Sequence, residues 1–279
     1  MKTALITIIG SYLSIVVLVY IFQRSLMYAP GHDVLMPHQA DVPEMTVHVL
    51  NTSDGLAITS WFAAPKSPEM PVVIIFHGNA GTLSGRAFKA RYFLDEGMGV
   101  MLVGYRGYSD NPGTPDEMGL YEDARSALGF LAKQGILPDQ MILYGESLGC
   151  AIAVQMAYEA QQNNAAEQSS LSGIILESPF TSMGDAASHH YPWLPARLLV
   201  KDRYDSSSKM PSLKTPVLII HGEKDPTIPQ SQGKALFELA SEPKEALWIN
   251  GAGHNNLYDY NINQSMVAWI FKSRTNPPL

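Results

Sequence analysis

The pentapeptide at residues 145–149, Gly-Glu-Ser-Leu-Gly, has the residue types of a nucleophile turn. A serine at the tip of a sharp turn brings the chain two residues before it and two residues after it so close that side chains there would clash. Gly145 and Gly149 remove that clash, and the apolar residues 141–144 before the turn fit a strand that leads into it. The spacing therefore predicts that Ser147 is a catalytic nucleophile.

A serine hydroxyl attacks a carbonyl only when a base takes its proton, and the base needs an acid that orients it. Asp225 follows the apolar run 217–221, and His254 follows the run 246–250. If both runs are strands of a parallel sheet, these side chains lie at the carboxyl ends, where ligands bind in open α/β folds. The sequence predicts Asp225 as the acid and His254 as the base, with Glu177 as the competing choice for the acid.

Acyl transfer also needs hydrogen-bond donors for the negative charge that develops on the attacked carbonyl oxygen. The main-chain N–H of Leu148 is one expected donor, because it begins the helix that follows the nucleophile. The second donor is expected in the loop after the run 72–76, where Gly78 lets the backbone turn inward. We assign it to the N–H of Asn79, with Ala80 as the less favoured choice.

After residue 45, short β-branched runs alternate with longer helical patterns, which is typical of a mostly parallel sheet with helices on both faces. The eight predicted strands are residues 45–50, 57–62, 72–76, 100–104, 141–144, 173–176, 217–221 and 246–250. The predicted helices are residues 82–96, 116–134, 147–161, 230–240 and 263–272. Residues 161–172 are polar and aperiodic, and we interpret them as a surface loop.

Residues 178–215 interrupt this alternation and are too many for an ordinary connection. The segment contains several prolines and aromatic residues, and we interpret it as a short cap inserted over the sheet. Tyr191, Trp193 and Leu194 are its candidate pocket residues. They are expected to build the core of the cap, a wall of an apolar substrate pocket, or both.

The amino-terminal stretch 4–22 is apolar and uncharged, and Lys2 and Arg24 flank it. As a helix it would span about 28 Å, close to the thickness of a bilayer core. We therefore divide the chain into a membrane anchor at residues 1–30 and a globular domain at residues 31–279. This predicts a single-pass membrane protein with an amino-terminal signal anchor, and a cleaved signal peptide is the competing interpretation.

Composition excludes several classes of protein. The single cysteine, Cys150, cannot form an internal disulfide or a cysteine-based zinc site. A net charge of -7 provides no basic surface for a phosphate backbone, so nucleic acid is not an expected partner. His189 and His190 lack carboxylate neighbours at ligand spacing, so we predict no metal site. The expected chemistry needs no cofactor.

Six blocks of the sequence, in their order along the chain, resemble the α/β-hydrolase superfamily. They are residues 76–81, 104–109, 145–149, 177–180, 221–225 and 253–255. The resemblance extends over roughly residues 40–272 and is closest to a membrane-anchored branch that includes eukaryotic protein depalmitoylases. It implies an α/β-hydrolase fold with a short cap, preceded by a transmembrane helix, and a Ser147, Asp225 and His254 triad.

The expected function is that of a serine hydrolase that cleaves a carboxylic ester or thioester through an acyl-enzyme intermediate. Its expected partners are a small or lipid-like acyl ester as substrate and the membrane that holds the amino-terminal helix. A serine peptidase of the same fold is one alternative. The other is a non-catalytic, membrane-anchored binding module that keeps the fold.

Overall fold

The protein is described by a computed structural model that covers residues 1–163 and 170–275. Its strands are β1 (Ala29–Pro30), β2 (Thr46–Asn51), β3 (Ala57–Ala63), β4 (Val72–Phe76), β5 (Ala80–Gly81), β6 (Gly99–Leu102), β7 (Met141–Glu146), β8 (Gly173–Glu177), β9 (Val217–Gly222) and β10 (Lys244–Ile249). Its α-helices are α1 (Lys2–Met27), α2 (Ala87–Asp95), α3 (Glu117–Lys133), α4 (Leu148–Asn163), α5 (Met183–His190), α6 (Ala196–Leu199), α7 (Gln230–Leu239) and α8 (Ile262–Thr275).

Eight strands form one sheet in the order β10-β9-β8-β7-β4-β6-β3-β2. The pairs β2–β3 and β3–β6 are antiparallel, and the other neighbours are parallel. The prediction of an eight-stranded, mostly parallel sheet is therefore confirmed. The order places the carboxyl ends of β4, β7, β8, β9 and β10 side by side along one edge.

Helices cover both faces of the sheet, as the alternation predicted. On one face, α3, α4 and α7 pack against every second side chain of the central strands, for example Ile74 and Leu143. On the other face α2 and α8 pack against residues such as Val73 and Ile142. Because the central strands are buried on both faces, they are almost continuously apolar, which is typical of parallel sheets.

The sequence predictions differ from the structure at three places. The helix predicted from residue 82 begins at Ala87, because the hydroxyl of Thr82 accepts the Gly85 N–H and favours a turn over a helix. The segment 178–215 contains the helices α5 and α6, which were not predicted. The predicted surface loop at 161–172 begins with three residues that belong to α4, and residues 164–169 lie outside the described residues, so the loop there stays a prediction.

The amino-terminal helix α1 is longer than the predicted apolar stretch and reaches Met27. It is long and apolar enough to cross a membrane, and its most apolar window is not buried inside the protein. After the helix ends, β1 pairs in parallel with β5, which lies in the loop after β4. The chain that leaves α1 is therefore joined to the edge of the sheet where the predicted site residues lie.

The turn between β7 and α4 depends on two glycines at which the backbone of neighbouring segments comes very close. A side chain at Gly145 would overlap the backbone of Cys150, and one at Gly149 would overlap the carbonyl oxygen of Phe76. These contacts are the clash that the pentapeptide spacing predicted. They press the start of α4 against the end of β4.

We expect Gly149→Ala to destabilise the protein, because the added Cβ has no space beside Phe76. A loss of about 4 kcal/mol would lower Tm by roughly 10 °C in a chain of this size. The control is Gly129→Ala in α3, where a Cβ meets nothing within 4 Å. It should raise stability by about 0.5–1 kcal/mol. Equal Tm values for the two variants in thermal unfolding would contradict the close-contact explanation.

Candidate active site

Ser147 lies at the tip of the turn between β7 and α4 and has a left-handed φ of 52°. This conformation is uncommon for a residue with a side chain and is often found at functional sites. The Ser147 N–H donates to the carbonyl oxygen of Glu177 at 2.8 Å, which ties the turn to the end of β8. The residue lines a cavity of about 350 Å³.

Asp225 and His254 contact each other at the ends of β9 and β10. The His254 Nδ1 lies 2.7 Å from Asp225 Oδ2. Asp225 Oδ1 accepts the N–H groups of Thr227 and Ile228, both at 2.8 Å. Burial alone would raise the Asp225 pKa, but hydrogen bonds from His221, His254 and Ile228 outweigh it and hold this pKa well below its ordinary value.

The ionised Asp225 fixes the tautomer of His254. Since a carboxylate only accepts hydrogen bonds, Nδ1 of His254 carries a proton, and in the neutral ring the lone pair is then on Nε2. His221 braces the same carboxylate: its Nε2 lies 2.8 Å from the Ile228 carbonyl oxygen and 3.3 Å from Asp225 Oδ2. The His254 ring therefore presents a proton acceptor on the side away from Asp225.

The hydrogen bond that a working triad needs between Ser147 and His254 is not formed in the structure. Within the described ranges, no hydrogen bond joins the Ser147 hydroxyl to the His254 ring. The two residues follow β7 and β10, which have β8 and β9 between them. Two of the three predicted triad members are thus in contact, and the third lies at the same sheet edge.

The loop after β4 contains the predicted oxyanion donor. The Asn79 carbonyl oxygen accepts the Ala29 N–H at 2.9 Å and the Tyr108 hydroxyl at 2.7 Å. The Asn79 side chain donates to the Met27 carbonyl oxygen at 2.8 Å. In the part of the chain that the structure describes, the N–H groups of Asn79 and Leu148 have no protein acceptor. Both residues line the same cavity as the nucleophile.

The cavity lies between the turn at Ser147, the cap and the amino-terminal helix. Of the three predicted pocket residues, Tyr191 and Leu194 line the cavity. Trp193 is not among the described residues that line it. Its ring instead packs edge-on against Tyr12, with ring centroids 6.5 Å apart. Other apolar lining residues include Val19, Leu26, Met27, Phe180, Met183, Leu199 and Ile228. The contribution of the amino-terminal helix was not predicted, because no spacing within that helix indicates a pocket.

A buried ion cluster lies beneath the turn. Lys89 Nζ is 2.7 Å from Glu177 and 2.8 Å from Glu146, and Arg86 is 2.8 Å from Glu146. Burial favours the neutral form of Glu146, but the cations Lys89 and Arg86 outweigh it and lower the Glu146 pKa to about 2. Glu177 also accepts the hydroxyl of Tyr144. The competing acid of the sequence analysis is therefore paired with Lys89 and not with the histidine.

Comparison with known proteins agrees with this fold. The BD-FAE family model matches residues 61–239. An uncharacterized protein of Mycobacterium tuberculosis is 36% identical over 255 residues, which cover 91% of this chain and 87% of that protein. The human alpha/beta hydrolase domain-containing protein 17B is 34% identical over 215 residues, which cover 75% of this chain and 69% of the human protein.

The chain belongs to the α/β-hydrolase superfamily. The fold of this hydrolase is similar to that of an alpha-beta hydrolase from Vibrio vulnificus, with a TM-score of 0.67, 23% identity and coverage of 82% and 83% of the two chains. It is also similar to a Pyrococcus furiosus esterase, with a TM-score of 0.67, 16% identity and coverage of 88% and 98%. The predicted superfamily is confirmed, and hydrolase activity is supported.

The ion cluster of the hydrolase makes a prediction about stability. Lys89→Met removes the cation shared by two buried carboxylates, and we expect a loss of about 3–5 kcal/mol in the free energy of unfolding. The control is Lys272→Met, which removes an exposed ion pair with Glu245 and should cost less than about 1 kcal/mol. Urea unfolding measures both. A loss below about 1 kcal/mol for Lys89→Met would contradict the importance of the cluster.

The low pKa of Glu146 predicts a dependence of stability on pH. The folded pKa of Glu146, about 2, lies below the pKa of an unfolded glutamate, which is about 4.3. Ionised Glu146 therefore stabilises the fold fully at pH values above about 4.3. The contribution is lost as the pH falls from about 5 towards 2. We expect the difference in unfolding free energy between wild type and Glu146→Gln to shrink over this window. A difference that stays constant with pH would contradict the assignment.

Proposed function

We propose that this hydrolase cleaves a carboxylic ester or thioester by a serine mechanism with an acyl-enzyme intermediate. The observation that carries the proposal is the hydrogen bond between His254 Nδ1 and the ionised Asp225, at the same sheet edge as the strained turn at Ser147. A histidine held in this tautomer can accept a proton at Nε2. A serine in such a turn has the exposed hydroxyl that the base must activate.

In the first step, the Ser147 oxygen attacks the acyl carbon while His254 Nε2 takes the hydroxyl proton. This requires the serine hydroxyl and the imidazole to approach within hydrogen-bonding distance. Catalytic hydrogen bonds are often long in the free enzyme and tighten in the substrate complex, so the lack of a Ser147–His254 hydrogen bond among the described residues does not argue against the mechanism. Asp225 stabilises the imidazolium that forms.

The attacked carbonyl oxygen becomes an oxyanion, and we propose that the N–H groups of Leu148 and Asn79 bind it. The absence of a protein acceptor for either N–H among the described residues supports this role. One such donor contributes about a hundredfold or more to the rate. The imidazolium then gives its proton to the leaving group, and water, activated by the same histidine, hydrolyses the acyl-enzyme. Each step uses protein groups and water, and we propose no cofactor.

The proposed substrate carries an apolar acyl group, because the cavity beside Ser147 is lined mainly by apolar side chains. Tyr191 and Leu194 are proposed as pocket residues, and Trp193 as a surface residue of the cap. The Pyrococcus furiosus relative in fold is an esterase, and the resemblance to depalmitoylases is compatible with a thioester. The helix α1 is the candidate membrane anchor.

Fluorophosphonate labelling tests the nucleophile. Wild type should be labelled, and Ser147→Ala should lose the label together with at least about 10⁴-fold in kcat on p-nitrophenyl esters. The control is Ser178→Ala, a buried serine at the end of β8 with a similar φ of 53°, which should keep the label. An unlabelled and inactive wild type would instead favour the non-catalytic binding module.

The acid has its own test. Asp225→Asn should lower kcat by about 10⁴-fold, because an amide that donates to His254 selects the wrong tautomer. Glu177→Gln is the comparison, since Glu177 contacts Lys89 and Tyr144 rather than the histidine. It should reduce thermal stability more than it reduces kcat of the folded fraction. A larger loss of kcat for Glu177→Gln than for Asp225→Asn would assign the acid to Glu177.

A further inference from the structure

We propose that helix α1 is a wall of the acyl-binding cavity and determines which acyl chains the enzyme accepts, rather than serving only as a tether. This inference rests on the proposed function, because it assigns the cavity beside Ser147 to the acyl group. It adds a specificity-determining element outside the globular domain. The evidence lies in one face of α1, in the contacts that fix its register, and in its link to the oxyanion loop.

One face of α1 lines the cavity over its last three turns. The residues on this face are Val19, Tyr20, Gln23, Leu26 and Met27. Val19, Gln23 and Met27 are the least exposed of them and are spaced by four residues, which places them on one stripe of the helix. The neighbouring Ile21 is 56% exposed and lies outside this stripe. The helix therefore has a cavity face and an outer face.

Polar contacts fix the position of this face along the cap. Arg24 forms two hydrogen bonds with Asp202, both at 2.8 Å, through its Nε and one terminal nitrogen. Asp202 is 3% exposed and also accepts the hydroxyl of Tyr28 at 3.1 Å. A two-point bond between a guanidinium and a carboxylate specifies orientation as well as distance. Rotation of α1 by one residue would break it.

A second pair of hydrogen bonds joins α1 to the cap beside the cavity. The Gln23 amide donates to the Leu199 carbonyl oxygen at 3.2 Å and accepts the Lys201 N–H at 2.7 Å. Further up the helix, the Tyr12 hydroxyl donates to the Trp193 carbonyl oxygen at 3.0 Å. These contacts hold α1 against the cap along the whole cavity.

The end of α1 also holds the loop that provides the proposed oxyanion donor. The Met27 carbonyl oxygen accepts the Asn79 side chain, and the Ala29 N–H donates to the Asn79 carbonyl oxygen. Met27 itself lines the cavity. The same short segment thus contacts the acyl cavity and the carbonyl-binding loop, which places the helix next to both parts of an acyl substrate.

The surface around α1 suits a substrate that comes from a bilayer. Tyr12 and Arg24 are twelve residues apart, or about 18 Å along a helix, so a cap that contacts both would enter the membrane beside a spanning α1. The exposed apolar side chains of the cap suit a lipid environment: Leu198 is 83% exposed and Trp193 is 51% exposed. We infer that a long acyl chain moves from the lipid into the cavity between α1 and the cap.

The test compares chain-length preference in the full-length protein. Val19→Trp adds bulk on the cavity face, and Ile21→Trp adds the same side chain on the outer face. Initial rates on p-nitrophenyl butyrate and p-nitrophenyl laurate give the ratio of kcat/KM for the long and short chains. Val19→Trp should lower that ratio at least about tenfold, since loss of apolar contacts with a few methylenes has this size. Ile21→Trp should leave it within about twofold.

The outcomes separate this inference from the proposed function. A Val19→Trp ratio within about twofold of wild type, in protein that fluorophosphonate still labels, would overturn the role of α1. Persistent turnover in Ser147→Ala would instead overturn the serine mechanism, whatever the ratio. If Val19→Trp fails to fold and is not labelled, Val19→Phe makes the same comparison with a smaller change. An altered ratio in Ile21→Trp as large as that in the cavity-face variant would also overturn the inference.

Discussion

The close packing of the β7–α4 turn against the end of β4 is the constraint on which the site depends. Only glycine at 149 lets the helix start touch the Phe76 carbonyl, and that contact fixes where Ser147 lies. From there, hydrogen bonds run across neighbouring strands: Ser147 N–H to Glu177, and Ser178 N–H to Ile220. Displacement of the turn would therefore displace the strand end that leads to Asp225.

Two groups of carboxylates serve different purposes at this edge. Glu146 and Glu177 are balanced by Lys89 and Arg86 beneath the turn, so their charges are used to hold the turn in place. Asp225 has no lysine or arginine partner among the described residues and is balanced only by histidines and N–H groups. A carboxylate held in this way keeps its full charge for the imidazole, which is what an orienting acid requires.

Short-range patterns in the sequence predicted most of the fold and the sheet edge at which the candidate site residues lie. Glycine spacing located the turn at Ser147, and apolar runs located all eight strands of the sheet, because both signals arise from backbone sterics and burial. The pairing of Glu177 with Lys89 could not be predicted, since the two are far apart in sequence and the chain order alone does not decide whether Asp225 or Glu177 faces the histidine. The helices of the cap were missed because both are short: α5 has eight residues and α6 has four.

The position of α1 was the least predictable feature, and its energetics explain why it matters. A two-residue pairing between β1 and β5 is too short to be stable by itself, so the link to the oxyanion loop depends on the buried bonds of Asp202. The Asn79 carbonyl oxygen also accepts the Tyr108 hydroxyl, a tie to the globular core that does not involve the anchor. The oxyanion loop is thus held from both sides. Loosening of α1 would weaken the acyl wall completely but the oxyanion loop only in part, because Tyr108 still restrains it.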